Sequence, residues 1–436
     1  MEITRSDIVF NTLKHNFFYS DVQEMIPVLI NHYNELWWNT GTHFPRFSQS
    51  FSLAVQKENE QRIEIETAHL VNAAKHISND SAELKIFKDH ARSNIKKLAE
   101  DVFFIHPDDV DFLEKSGMLE ASRSFFQMAR NFDPGIPFSD IYQAGRNIIT
   151  ANLIQLLLGL PVRTTPSLFA YSMLYPYSDN YLDDPEVSFT NKKDFNQRFR
   201  QRLIGEPIQP RNKHEEIIGA LIQMIESEWD REEFPMVFQS LLTIHTAQVK
   251  SLDLVATDIS PFEKDILGIT FEKGGTSVLT DGYLAAGTLT AEQAQALFGF
   301  GAFTQLMDDM EDIYSDIQEN RASLFSISAP YWKLDTICNR FFNFGHKTIG
   351  NLSIFPGKYV TAVSSLINKC IDPMLLGSIS SSLGYFTKPY TIDLESHMPF
   401  RFAALKQQQK KIKSNRVKII QLIEISLSSD SLNKVF

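Results

Sequence analysis

The chain predicts an all-α fold, and three observations carry that expectation. Glycine (19) and proline (18) are sparse for 436 residues, and Asn-Gly or Asp-Gly pairs do not recur at the spacing of a sheet protein. Apolar residues repeat at helical intervals over segments mostly longer than about 15 residues, the size of helices in a large bundle. The breaks between segments carry helix-ending residues: Asp133-Pro134-Gly135, Pro161, Pro207 to Pro210, Phe234-Pro235, Ser260-Pro261 and Ala329-Pro330.

Hydrophobic residues at 43% and charged residues at 22% match ordinary globular usage, which excludes a disordered or fibrous chain. A net charge of -11 argues against a nucleic-acid backbone as the main partner, because that binding rests on clustered Lys and Arg. Cys338 and Cys370 alone cannot build a disulfide framework or a four-cysteine zinc site, and they point to a reduced cytoplasmic location. Acids and amides interrupt the first twenty residues, so no export signal is expected. The longest apolar run, Ile148 to Pro161, is broken by Asn152 and Gln155 and falls short of the roughly 20 residues that span a bilayer, so no stable membrane insertion is expected. Thirty-four phenylalanines either fill helix interfaces or line an apolar cavity.

Residues 1–117 read as an N-terminal helical extension of polar amphipathic segments, broken near Ile105-His106-Pro107, and residues 118–436 as the main helical domain. Within the extension, Glu66-Thr67-Ala68-His69 has the Glu-x-x-His step of di-iron bundles. Such sites need a second step and two further glutamates, and no second step occurs, so it reads as ordinary helix surface. Near the other end, Arg401, Lys406, Lys410, Lys411, Lys413, Arg416 and Lys418 form a basic run without an acid, either a solvated helix face or an anion-attracting one.

Two acidic clusters carry the chemistry. In the first, Tyr175 to Pro185, Asp179 and Asp183 stand one helical turn apart with Asp184 adjacent, following the apolar and aromatic stretch Leu168 to Tyr177. Gathered carboxylates of this kind suit Mg²⁺, which takes one or two of them together with waters and substrate phosphates; the alternative is a solvated helix end. In the second, Asp308, Asp312 and Asp316 fall at i, i+4 and i+8 with Asp309 beside the first, continuing the stripe Leu297, Gly301, Thr304. The nearest downstream cation is Arg321, whereas surface acids normally have basic partners at i+4. Between the clusters, Gly274-Gly275 inside a helical pattern marks a kink or a close backbone approach. Lys273 beside it either reaches an anion from a helix break or sits as a surface lysine at a C-cap.

The stretch Gln305-Leu306-Met307-Asp308-Asp309-Met310-Glu311-Asp312 is similar to the second Asp-Asp-x-x-Asp motif of the class I isoprenoid (terpenoid) synthases. The order Asp179-x-x-x-Asp183-Asp184, with Lys273-Gly274-Gly275-Thr276-Ser277-Val278-Leu279 between the motifs, resembles most closely the bacterial class IB, large-terpene synthases. Ser122-Arg123-Ser124-Phe125 resembles the squalene and phytoene synthase signature, further ahead of the first motif than in that family. The Arg-Tyr pair that many bacterial terpene cyclases carry near their C-terminus is absent, a departure that bears on how the site closes.

The resemblance spans 118–436 and implies one class I helical bundle around a deep apolar pocket. By it, Asp179, Asp183 and Asp184 on one wall, and Asp308, Asp309, Asp312 and Asp316 on the other, would hold a Mg²⁺ cluster of three ions that binds the diphosphate of an allylic prenyl substrate. Lys273 and Arg321 are the candidates for the cationic clamp on the leaving group. The implied activity is a terpene synthase, a carbon-oxygen lyase giving a linear or cyclic terpene. The alternatives are a prenyl diphosphate synthase, a squalene- or phytoene-type condensing synthase, or a catalytically silent helical scaffold. Chain length, product skeleton and oligomeric state, a homodimer included, depend on pocket depth and surface shape that the sequence leaves open.

Overall fold

The computed structural model describes residues 21–75, 81–103, 105–184, 186–255, 260, 263–350 and 352–414. Their helices, in chain order, are α1 (Val22–Trp38), α2 (Leu53–Lys75), α3 (Ser81–Asp101), α4 (Pro107–Lys115), α5 (Met118–Phe132), α6 (Phe138–Leu158), α7 (Pro166–Asp183), α8 (Phe189–Leu203) and α9 (Lys213–Glu228). They continue as α10 (Pro235–Ser251), α11 (Ile266–Ala286), α12 (Ala291–Glu311), α13 (Ile313–Gln318), α14 (Asp335–Ile349), α15 (Val360–Ile379), α16 (Lys388–Glu395) and α17 (Phe402–Ser414). Among the described residues the only strand-like pairing is a single bridge between Val255 and Arg321. No described helix is long and apolar enough to cross a membrane.

Local chemistry sets the helix starts that matter for the site. Thr165 caps α7 by accepting the Leu168 amide, with Pro166 at the first helical position, where a missing N–H costs nothing. Asp265 caps α11 by accepting the Gly268 amide at 2.9 Å. Thr290 and Gln293 form a reciprocal capping box at α12, with bonds of 3.2 and 3.0 Å.

The bundle is organised around α11, which is buried on nearly every side and touches α1, α6, α7, α10 and α12. Its closest neighbour is the antiparallel α12, and glycines set the distance. A Cβ on Gly274 would overlap the Gly301 carbonyl oxygen, and a Cβ on Gly301 would overlap that of Gly274. Gly274-Gly275 is therefore a close approach and not a kink, and α11 runs unbroken through it. Lys273 accordingly sits mid-helix, at neither a break nor a C-cap, because its neighbours' missing side chains serve interhelical packing rather than helix termination.

Within the range read as an extension, α1 packs into this central group. Its Met25, Leu29 and Trp37 are fully buried, the Tyr33 hydroxyl donates to the Gln295 carbonyl at 2.8 Å, and the Val22 amide donates to Gln239 Oε1 at 2.9 Å. The α2–α3 pair is more peripheral, with Leu53, Ile65 and Ile86 all more than half exposed. His69 Nδ1 stands 4.0 Å from Glu66 Oε2 on α2. The basic helix α17 docks on α2 through Arg401–Glu60 and Lys411–Glu64 pairs; Arg416 and Lys418 lie outside the described residues.

Replacing Gly274 by alanine is expected to force α11 and α12 apart and to cost about 1–3 kcal/mol, the usual penalty of overpacking a filled interface. Denaturant unfolding of Gly274→Ala measures this. An unchanged midpoint would mean that the two helices separate freely.

Candidate functional site

A cavity of about 590 Å³ opens where α7, α10 and α12 end and α11 begins, with α6 along one side. Antiparallel packing of α11 on α12 puts the first half of α11 opposite the acidic end of α12. The cavity is lined by Asp179 from α7, Lys273 from α11, Asp308 and Asp309 from α12, Asp312 at the α12–α13 junction, Asp316 from α13, and Arg321 beyond it. Residues separated by more than 140 positions thus converge on one space.

The second acidic cluster keeps its predicted register. The Asp312 amide donates to the Asp308 carbonyl at 2.9 Å and the Asp316 amide to the Asp312 carbonyl at 2.8 Å, so the line continues past the end of α12. Asp309 turns toward α11 and accepts from Gln305 Nε2 at 3.1 Å and Thr270 Oγ1 at 3.3 Å. The carboxyls are held against their ordinary chemistry. Burial pushes Asp309 up to about 7 and Asp308 and Asp316 up to about 6, with the neighbouring acids adding to the rise. Asp308 keeps solvent contact through the cavity mouth while the walls crowd its other sides. Burial raises Glu311, with Asp312 adding to the rise, and burial raises Asp312, with Arg321 opposing the rise and Glu319 adding to it.

The first cluster divides. Asp179 lines the cavity and accepts from Gln248 Nε2 at 2.9 Å and Ser178 Oγ at 3.0 Å. The Asp183 side chain lies outside the described residues. Asp184 is exposed and does not line the cavity; its Oδ1 accepts the Glu186 amide at 2.9 Å. The cause is local. Pro185 disfavours helical backbone in the residue before it, and Asp184 leaves the helix in an extended conformation, φ -64 and ψ 116. Of the four neighbouring tyrosines, Tyr175 lines the cavity and Tyr171 packs behind it, while Tyr177 donates to Asp133 Oδ2 and Tyr181 stacks on His214. The Ser122–Phe125 segment is not part of the lining, and Ser122 Oγ donates to the Met118 carbonyl.

Three contributors escaped the sequence. Arg146 on α6 lines the cavity and lowers the Asp308 carboxyl more than any other charge does. It lies before the first acidic cluster, and nothing in local spacing ties it to acids so far along the chain. Gln248 reaches Asp179 from the last turn of α10. Asn147, next to Arg146, faces the buried Asp281, to which its Nδ2 donates at 3.0 Å.

Hard oxygen donors and the cations Arg146, Lys273 and Arg321 line the same space. Among the described residues no three His, Cys, Asp or Glu side chains converge into a ready-made metal site. Comparison of the chain with protein-family models, with curated proteins and with solved structures gives no match in any of the three. The chemistry is therefore argued from the cavity itself.

Each raised carboxyl binds its proton more tightly in the fold than in the unfolded chain. Its contribution to stability is fully present below the ordinary value of 3.8 and is lost as pH rises through about 6 to about 7. In chelator, the melting temperature should fall across that interval, and Asp309→Asn, which cannot ionise, should flatten the fall. A melting curve identical in slope for both proteins would contradict this electrostatic account.

Proposed function

We propose that the chain is a Mg²⁺-dependent class I terpene synthase that ionises an allylic prenyl diphosphate and releases diphosphate. The observation that carries this reading is the convergence of Asp179 with the Asp308, Asp312, Asp316 line on one cavity that also holds Arg146, Lys273 and Arg321. Acids gathered at raised proton affinity are stabilised by whatever neutralises them, and hard oxygen donors favour a small divalent cation. A Mg²⁺ site completed by waters and substrate phosphates needs no preformed protein cage, so the spread of these acids fits that ion. Asp179, Asp308, Asp312 and Asp316 would hold it, and Asp309 is tied instead to Gln305 and Thr270.

When bound, Mg²⁺ supplies charge stabilisation to the leaving diphosphate. The chain's own residues supply the rest. Lys273, mid-helix and directed into the cavity, bonds diphosphate oxygens, and Arg146 and Arg321 flank the same oxygens from α6 and from the segment after α13. Ile244, Val278 and Phe300 supply apolar lining that excludes water, and aromatic faces stabilise a cation by up to about 2 kcal/mol when desolvated. Chain elongation calls for a second diphosphate site near the first acidic cluster, and residues 164–190 contain no Lys or Arg.

Two experiments test the reading. Geranyl, farnesyl and geranylgeranyl diphosphate, each supplied alone with Mg²⁺, should include one that releases diphosphate, and Asp308→Ala or Asp312→Ala should abolish the release with the helical fold intact. Isopentenyl diphosphate should not lengthen the product; an elongated diphosphate would make the chain a prenyl-elongating synthase, and no release from any substrate would leave a silent scaffold.

The clamp is tested separately. Lys273→Ala and Lys273→Gln should both weaken inhibition by inorganic diphosphate by about 2 kcal/mol, roughly thirtyfold, the worth of a charge-assisted contact. Equal inhibition constants in wild type and both variants would remove Lys273 from the clamp.

A further inference from the structure

Going inward from the acids, each wall steps down by four residues, about 6 Å per step along a helix. Asp179 leads to Tyr175 and Tyr171, and Lys273 to Ser277 and Asp281. One step in, where a terpene pocket should turn apolar, the walls stay polar. The Tyr175 hydroxyl and Ser277 Oγ lie 2.5 Å apart, and both residues line the cavity.

Behind this layer Asp281 is completely buried, and its Oδ2 has no hydrogen-bond partner among the described residues. Its one bond is to Asn147, whose Nδ2 donates to Asp281 Oδ1 and to Ser172 Oγ, both at 3.0 Å. With both amide hydrogens turned inward, Asn147 presents its amide oxygen to the cavity that it lines. Burial holds the Asp281 carboxyl well above the ordinary range, with the Asn147 hydrogen bond opposing the rise. Leaving such a polar cluster beside a site built to exclude water is costly unless the cluster has a ligand of its own.

We propose that Asn147, oriented by Asp281, holds a water molecule beside the Tyr175–Ser277 pair, and that this water captures the allylic cation, so that the product is a terpene alcohol. The inference rests on the diphosphate-ionising reading above. The carbon–oxygen bond to diphosphate breaks with its electron pair staying on diphosphate. A water lone pair forms the new carbon–oxygen bond at the cationic carbon, and the proton lost from that oxygen goes to the departing diphosphate, the strongest base that the reaction generates. Prenyl diphosphate and water thus give alcohol and protonated diphosphate. Because the polar layer lies one step inside the acids, capture comes early, at one end of the allylic system. Asn147 is the water-binding residue, and Asp281 is a positioning residue that acts through it.

The test is product analysis in ¹⁸O-labelled water with the full chain, Mg²⁺ and the allylic diphosphate that wild type accepts, read as the ratio of labelled alcohol to hydrocarbon. That ratio does not depend on total rate. Wild type should give labelled alcohol, and Asp281→Asn, which keeps an oxygen acceptor for Asn147, should hold the wild-type ratio. Asp281→Leu and Asn147→Leu should each lower it by about tenfold, the factor carried by one lost hydrogen bond. Should Asp281→Leu fail to fold, Asn147→Leu carries the same expectation. Hydrocarbon alone from wild type, or a ratio in Asp281→Asn as low as in Asn147→Leu, overturns the inference while diphosphate release still stands. An absence of Mg²⁺-dependent diphosphate release by wild type overturns the ionising reading and this inference with it.

Discussion

The approach of α11 to α12 at Gly274 and Gly301 is the constraint on which the rest of the structure depends. Where the two backbones touch, one helix can bury nearly its whole circumference and still present Lys273 and Ser277 to a cavity. The same contact fixes the register that faces Lys273 with the Asp308 line. A wider separation would place Asp309 beyond the reach of Thr270, and the end of α12 would lose its tie to α11.

Against that packing works a concentration of like charge. Asp308, Asp312 and Asp316 share one face and no interleaved cation, so the fold holds them together by burying the apolar stripe that precedes them, including Leu297, Phe298, Leu306 and Met310. Like charges at i, i+4 destabilise an isolated helix. Here that cost is borne by tertiary contacts, and it leaves the site disposed toward any ligand that neutralises it.

Much of this was legible in sequence. The all-helical class followed from spacing and punctuation, and the Asp308, Asp312, Asp316 line is periodic within a single segment, so its geometry is local. Asp184 stands away from the cavity, because a run of acids says nothing about the extended backbone that a residue before proline favours. Gly274-Gly275 admitted two readings, and only the neighbouring Gly301 chooses between them. Arg146, Gln248 and the Asn147–Asp281 pair owe their places to contacts across 69 to 162 positions, and no window along the chain contains both partners. Likewise the polar character of residues 1–117 hides α1, whose buried stripe is narrow in composition but reaches α10, α11 and α12.

That early helix has a consequence for the order of events during synthesis. Tyr33 leaves the ribosome 262 residues before Gln295, whose carbonyl accepts its hydroxyl, and Val22 leaves 217 residues before its partner Gln239. At about 5–20 residues per second, translation keeps the apolar face of α1 without its destination for on the order of tens of seconds. During that interval Met25, Leu29 and Trp37 form a greasy strip on a nascent chain, the kind of segment that holdase chaperones grip. The first of the described helices to be made is thus among the last to be seated, and that strip needs shielding while the rest of the bundle is being made.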